Sequence, residues 1–235
     1  MSKGHPRPKL ADRELRLAWQ SASLLMSYPD QELLDTLPLI QGAAARLPAA
    51  VSDPLRAFLD HVQRTPLSQL AEAFVTTFDH QRRCCPYLTY FEHGDTRNRG
   101  VALLRFKTAY RAHGMLLSDS ELPDHLAVVL EFGAIADTLA AWELLMNHRA
   151  GVELLRLALT DLGSPWAHVA DAVCATFPPM RGDDRDAVMR LAAQGPPAEE
   201  VGLAPFAPPE YMPETSRPVP LPMPTYSPSL RGART

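Results

Sequence analysis

Residues 13–29, RELRLAWQSASLLMSYP, are the clearest indication of the fold class. The apolar side chains of this stretch recur at the i, i+3, i+4 and i+7 spacing that places them on one face of a helix, namely Leu15, Ala18, Trp19, Ala22, Leu25 and Met26. Tyr28-Pro29 is expected to end the helix, because the residue before a proline avoids the right-handed helical conformation. The stretch therefore predicts an amphipathic helix with one buried face.

The same periodicity continues as far as Phe177, with proline and glycine marking the breaks. We expect further helices after Asp30 (broken or kinked at Pro38), from Pro54, from Pro66, over 95–113, from about Glu121 with Pro123 in its first turn, and over 138–147, 151–162, 165–176 and 184–193. No run of alternating β-branched or aromatic residues predicts a strand. The predicted fold class is all-α, a single globular bundle of about eight to ten helices.

The carboxyl-terminal part of the chain has a different composition. Eleven of the 23 prolines lie between Pro196 and Pro228. Such a density of proline is incompatible with a helix or a central strand and suits an extended polyproline II segment. We therefore expect an all-helical domain over residues 10–195 and an extended or disordered tail over residues 196–235.

Composition excludes several classes of function. The chain has 235 residues, with 23 basic and 27 acidic side chains and a net charge of −4, which argues against nucleic-acid binding. Its longest apolar runs have four or five residues, far short of the roughly 20 that cross a bilayer. The first residues lack an apolar export segment, and three cysteines cannot form a fully paired disulfide framework. These features predict a cytoplasmic protein without direct membrane insertion.

Candidate catalytic and metal-binding residues are few. Cys84 and Cys85, with His80 and His93 nearby, are the first candidates for metal ligands. Structural zinc sites prefer cysteines separated by two to four residues together with a second pair, which this chain lacks. No nucleotide-binding, hydrolase or zinc-protease motif is present either. We predict no metal, no cofactor and no catalytic residue, and a helical metalloenzyme using Cys84, His80 and His93 is the alternative.

Two consecutive blocks of opposite charge are more informative. Residues 82–111 contain seven basic and two acidic residues, a net charge of +5, whereas residues 114–148 contain six acidic residues and no lysine or arginine, a net charge of −6. The blocks can neutralise each other through surface ion pairs worth about 0–1 kcal/mol each. Alternatively, the acidic block attracts a basic ligand.

Within the acidic block, Asp124, Val128 and Glu131 have the i, i+4, i+7 spacing of one helix face. This spacing suits two carboxylate contacts along a basic peptide, although Asp124 could equally stabilise the helix amino terminus. We expect Asp124 and Glu131 to contact the positive charges of such a peptide, with His125 beside them.

Several motifs occur in an order that resembles a known family, namely TFDHQRR at 77–83, YLTY at 87–90, GDTR at 94–97, LLRFK at 103–107 and ELPDHL at 121–126. Together they resemble the NarJ family of nitrate reductase assembly chaperones, also called delta subunits. The resemblance runs from about Leu10 to Pro209.

The resemblance implies an all-helical fold related to the TorD and DmsD maturation proteins, without catalytic activity. It implies binding, in the cytoplasm, of the amino-terminal segment of the molybdenum-containing catalytic (alpha) subunit. The segment would be held competent for molybdenum cofactor insertion before the subunit docks on its membrane anchor. Cofactor-biosynthesis proteins are possible further partners. The E-x-P-D-H-L pattern of the family falls on residues 121–126, so the expected client-peptide-binding residues are Glu121, Asp124, His125 and Glu131.

Two other functions in the interaction class stay open at this point. One is a maturation chaperone for another molybdoenzyme with a twin-arginine leader. The other is an acid-rich scaffold that binds no client.

Overall fold

The computed structural model describes residues 5–118, 121–195 and 197. In these residues it contains eleven α-helices, a short 3-10 helix at Arg82–Cys84 and no strand. The α-helices are α1 Asp12–Leu25, α2 Gln31–Ala44, α3 Ala49–Arg64, α4 Leu67–Phe78, α5 Tyr90–His93, α6 Arg97–Ala112, α7 Leu126–Ile135, α8 Thr138–Asn147, α9 Arg149–Asp161, α10 Trp166–Ala175 and α11 Gly182–Gln194. The predicted all-α class is confirmed. The predicted tail, apart from Pro197, and Asp119 of the acidic block lie outside the described residues.

Helix α1 occupies the centre of the bundle. It packs against α2, α7, α8 and α10, while α10 also contacts α3 and α9, and α11 lies on α9. All six apolar residues that predicted its inner face are buried, and the Trp19 side chain is 0% exposed. The Trp19 indole N–H donates to Thr176 Oγ1 at 3.2 Å, and the Trp166 indole N–H donates to the Leu25 carbonyl at 3.0 Å. These bonds join α1 to the carboxyl-terminal part of the bundle.

The α1–α7 contact depends on a glycine. A Cβ atom on Gly133 would lie 2.5 Å from Trp19 Cε3 and 2.7 Å from Ala141 Cβ, which is inside van der Waals distance. Only glycine therefore allows α7 to approach Trp19 this closely, and α7 is held in a fixed position against the central helix.

Two prolines lie inside helices. We expected α2 to be broken or kinked at Pro38, and the helix continues through this proline without a break. The Pro38 side chain is exposed, so the carbonyl that loses its helical hydrogen-bond partner can bond to water instead. Helix α3 begins at Ala49 rather than at Pro54, because the Pro48 carbonyl accepts from the N–H groups of Val51 and Ser52, both at 2.9 Å.

Helix α7 begins later than we expected. Pro123 and Asp124 were predicted in its first turn, but the helix starts at Leu126 with His125 as its N-cap. The residues just before it pair with another loop instead, through an antiparallel bridge between Tyr87 and His125. This pairing holds the backbone out of the helical conformation and determines the geometry of the candidate site.

None of the described helices has the length and apolar character needed to cross a membrane.

Candidate functional site

A groove lies between the carboxyl-terminal end of α1 and the amino-terminal half of α7. We call it the α7 groove. It has a volume of about 450 Å³ and is lined by Ser23, Ser27, Tyr28, Tyr87, Glu121, Leu122, His125, Ala127, Val128 and Glu131. Three of the four residues predicted to bind a peptide, Glu121, His125 and Glu131, therefore line one groove.

The groove combines apolar surface with negative charge. Glu121 and Glu131 are exposed, Tyr28 is 56% exposed and Leu122 is 40% exposed. Exposed apolar side chains that line a concave surface are typical of binding sites. The lining suits a ligand that carries both apolar side chains and positive charges.

The α1 wall of the groove is fixed to α7. Ser23 Oγ donates to the Ala127 carbonyl at 2.8 Å, and Ser27 Oγ donates to the Ser23 carbonyl at 3.0 Å. Both hydroxyl protons are therefore used inside the protein. The specificity of the groove therefore has to come from its other polar side chains, which are the two glutamates, His125 and the hydroxyl groups of Tyr28 and Tyr87.

Asp124, the fourth predicted residue, is not accessible in the groove. Its side chain is 0% exposed, and its Oδ2 atom accepts from Thr89 Oγ1 at 2.5 Å and from the Thr89 N–H at 3.2 Å. Arg99 Nη2 lies 3.6 Å from the same oxygen. The expectation that Asp124 and Glu131 share a helix face is wrong, because Asp124 precedes α7 and its carboxylate turns inward towards Thr89 and Arg99.

Asp124 instead helps to hold one wall of the groove. The Leu88 N–H donates to the Asp124 carbonyl at 2.9 Å, next to the Tyr87–His125 bridge. The Arg99 guanidinium lies over the Tyr87 ring, 5.2 Å from its centroid. The buried ion pair thus connects α6 to the two loops that place Tyr87 and His125 in the groove lining.

His125 is a neutral polar group in this wall. Its Nδ1 atom accepts from the Ala127 N–H at 3.2 Å, and its ring meets the Tyr87 ring edge-on with centroids 5.2 Å apart. Burial lowers the pKa of His125 to about 4, although the negative charge of Asp124 opposes this effect. The hydrogen-bond pattern assigns the ring proton to Nε2. The imidazole can therefore donate a hydrogen bond but brings no positive charge at neutral pH.

The two charge blocks meet at a buried ion pair. Arg99 of the basic block lies 3.6 Å from Asp124 of the acidic block, and Asp137 of the acidic block lies 3.5 Å from His113, which stands between the two blocks. Glu121 and Glu131 form no ion pair with any described residue. Their charges remain available to a ligand.

The cysteine region offers little support for the metalloenzyme alternative. Burial raises the pKa of the Cys85 thiol to about 11 and also raises the pKa of Cys84, so both thiols stay protonated at neutral pH. Among the residues that the structure describes, no three histidine, cysteine or acidic side chains come together as metal ligands do.

Sequence reasoning did not identify the α1 wall or the positioning network. Tyr28 stood out only as the residue before Pro29, although a large aromatic side chain at a helix end is also a candidate for an exposed contact. Tyr87 was part of a quoted motif, but no role was assigned to it. No sequence spacing could have shown that Arg99 and Thr89 enclose Asp124, because these contacts join separate loops.

Comparison with known proteins identifies the family. Residues 44–171 match the family model described as nitrate reductase delta subunit. The chain belongs to this family. The matched range is narrower than the range of the resemblance, and it includes the delta-subunit motifs quoted above between residues 77 and 126. The predicted family is confirmed.

Two curated relatives show what kind of protein the delta subunit family contains. A NarJ protein of Bacillus subtilis, described as a probable nitrate reductase molybdenum cofactor assembly chaperone, is 32% identical over 166 residues, covering 69% of this chain and 89% of NarJ. The nitrate reductase-like protein NarX of Mycobacterium tuberculosis is 38% identical over 160 residues, covering 68% of this chain but 24% of NarX. The chain thus spans about a quarter of NarX.

A solved structure was also found, described as a redox enzyme maturation protein of Archaeoglobus fulgidus. The TM-score is 0.49 at 22% identity, covering 81% of this chain and 99% of that one. The family match and the NarJ relative agree with the prediction of an assembly chaperone rather than an enzyme.

Proposed function

We propose that this protein is a system-specific assembly chaperone of a nitrate reductase. It binds the amino-terminal segment of the catalytic alpha subunit in the cytoplasm and supports molybdenum cofactor insertion before the subunit docks at the membrane. The family match and the chaperone role given in the name of the NarJ relative support the class of function.

The α7 groove is the observation that carries the proposal. It presents the exposed carboxylates of Glu121 and Glu131 beside the exposed surfaces of Tyr28 and Leu122. A basic amphipathic peptide has the complementary arrangement, with an apolar face and cations on its other side. Peptides of this kind bind by laying their apolar face in a groove between helices.

Apolar burial and charge make different contributions to binding. Fully burying a large apolar side chain contributes about 1.5–3 kcal/mol, and this term supplies most of the affinity. The two glutamates raise the association rate and make binding depend on salt. The resulting affinity is moderate, which suits a chaperone that must release its client.

Each predicted residue has a defined role in this proposal. Glu121 and Glu131 contact the positive charges of the segment, and His125 Nε2 donates to a backbone carbonyl of the segment. Asp124 acts indirectly, because its ion pair with Arg99 fixes the wall that contains His125 and Tyr87. No group in the groove needs to undergo a chemical change.

A co-purification experiment tests the identity of the client. The tagged full-length protein is produced together with the nitrate reductase catalytic subunit, either intact or with the lysines and arginines of its amino-terminal segment replaced by glutamine. We expect the intact subunit to co-purify and the neutralised one to be lost. Equal recovery of both subunits would contradict the proposed segment, and recovery of a different molybdoenzyme would favour the twin-arginine alternative.

A further inference from the structure

Helix α6 carries a second exposed surface that is separate from the α7 groove. Its inner face is buried through Ala102, Phe106 and Tyr110, whereas Val101 is 62% exposed and Leu104 is 60% exposed. We call the outward surface formed by Val101, Leu104, Arg105, Lys107, Thr108 and Arg111 the α6 outer face. None of these residues lines the α7 groove.

The inner and outer arginines of α6 differ in how their charge is compensated. Arg99, on the inner side, lies 3.0 Å from Asp95 and 3.6 Å from Asp124. By contrast, Arg105 and Arg111 on the outer face form no ion pair with any residue that the structure describes. The charges of Arg105 and Arg111 are therefore directed outwards, where a partner can compensate them.

The apolar part of the outer face is short. Val101 and Leu104 are spaced as an a and a d position of a coiled coil, and the polar residues Thr108 and Arg111 continue the same stripe at the next a and d positions. Arg105 follows a d position and Lys107 precedes an a position, so both flank the seam. In coiled coils, charged residues at these flanking positions select partner helices of opposite charge.

We propose that the α6 outer face binds an acidic amphipathic helix of a partner protein. Val101 and Leu104 pack against the apolar positions of that helix, and Arg105, Lys107 and Arg111 contact its glutamates or aspartates. This interaction goes beyond client capture by the α7 groove, and it uses the opposite charge.

Two other occupants fit the surface less well. A helix that binds a lipid surface inserts a broad apolar face, whereas the larger apolar side chains of α6 are already buried in the core and only Val101 and Leu104 of this face are available. A second copy of this chain offers exposed large apolar side chains that are distributed over several helices, including Leu39, Ile135, Leu139, Leu157 and Met189. Apart from α6 itself, none of the described helices carries two of them.

A designed probe tests the chemistry of the surface. The probe is a fluorescent synthetic peptide of three heptads, with leucine at a and d, glutamate at e and g, and alanine elsewhere. Like charges at e and g keep it from pairing with itself. We expect it to bind the full-length protein in an anisotropy titration, with affinity falling at least about tenfold when salt rises from about 50 mM to about 300 mM. The matching peptide with lysine at e and g should not bind.

Surface variants locate the interaction. Val101→Ser with Leu104→Ser should weaken binding of the acidic peptide at least about tenfold, and so should Arg105→Gln with Arg111→Gln. Met189→Ser, which replaces an exposed apolar residue of α11, is the matched control and should leave binding unchanged. Because all these side chains are exposed, their loss should not unfold the protein.

Three results would overturn the proposal. The acidic peptide could fail to bind the full-length protein, the lysine peptide could bind equally well, or the α6 variants could bind the acidic peptide as the wild type does. If the full-length protein bound vesicles of phosphatidylcholine and phosphatidylglycerol but did not bind the peptide, the α6 outer face would be assigned to lipid. A dimer in sedimentation equilibrium that Leu104→Ser dissociates would assign it to a second copy. None of these results affects the α7 groove, so the proposed client binding is tested separately.

Discussion

Replacing Asp124 by asparagine should reduce the stability of the fold rather than remove a direct contact with a client. The carboxylate is completely buried, accepts two hydrogen bonds from Thr89 and pairs with Arg99, which is only 13% exposed. Breaking a buried ion pair costs about 3–5 kcal/mol, because the remaining charge is left without its partner.

Two features of the structure place the expected loss at the low end of that range or slightly below it. Arg99 keeps its second partner, Asp95, at 3.0 Å. In addition, Asp124 Oδ1 and Arg99 Nη2 have no hydrogen-bond partner, so the pair is not fully satisfied to begin with. Asparagine also retains the size of the side chain and one acceptor oxygen. We therefore expect Asp124→Asn to lower the free energy of unfolding by about 2–4 kcal/mol.

Urea denaturation followed by circular dichroism measures this loss. Glu131→Gln, which changes an exposed carboxylate on the same stretch of chain, should stay within about 0.5 kcal/mol of the wild type. Arg99→Gln combined with Asp124→Asn should cost less than the two single losses added together, because both changes break the same pair. If Asp124→Asn left stability unchanged and weakened peptide binding as much as Glu131→Gln, the positioning role of Asp124 would be refuted.

Three further predictions concern the helices and the pH dependence. Gly133→Ala should destabilise the protein by about 1–3 kcal/mol, because the new Cβ atom would lie 2.5 Å from Trp19. Gly42→Ala, which has open space around it, should stabilise the protein by about 0.5–1 kcal/mol. Chemical denaturation measures both changes, and equal effects would be inconsistent with close α1–α7 packing. Burial lowers the pKa of His125 from 6.5 to about 4. Between pH 6.5 and pH 4 the unfolded chain therefore binds a proton at this residue that the folded chain does not bind. As the pH falls through this interval, the free energy of unfolding should decrease by up to about 3 kcal/mol. His125→Asn, which can still cap α7, should lose less stability over that interval than the wild type does. If the free energy of unfolding changed with pH equally in both proteins, the buried neutral imidazole would be contradicted. Pro38→Ala should stabilise α2 by about 1–3 kcal/mol by restoring a helical hydrogen bond, and a lower denaturation midpoint would show that the proline is needed.

Much of the fold could be predicted because helical periodicity is a local property. The spacing of apolar residues in α1 identified its buried apolar residues, including Trp19, but not the buried Ser21 and Ser23. The start of α7 was predicted wrongly because it depends on a distant contact, the pairing with the loop around Tyr87. The start of α3 differs for a local reason, since the Pro48 carbonyl accepts from the N–H groups of Val51 and Ser52. Pro38 is tolerated inside α2 because its side chain faces solvent.

The candidate site was predictable in part for the same reason. Glu121, His125 and Glu131 lie within one short stretch, so sequence could group them, and the structure places all three around the α7 groove. Asp124 belongs to the same stretch, but its side chain points the opposite way because Thr89 and Arg99 enclose it. Charge alone does not show whether a carboxylate faces solvent or a buried arginine.

The central claim is that the α7 groove captures a basic amphipathic segment with Glu121, Glu131 and Leu122. Calorimetric titration of the synthetic amino-terminal segment of the catalytic subunit tests it most directly. At low salt, Glu121→Gln combined with Glu131→Gln should weaken binding about tenfold, and Leu122→Ser should weaken it by a similar factor. Glu143→Gln, an exposed acidic residue of α8 outside the groove, is the matched control and should bind like the wild type. Equal affinity of the groove variants and the control would contradict the account.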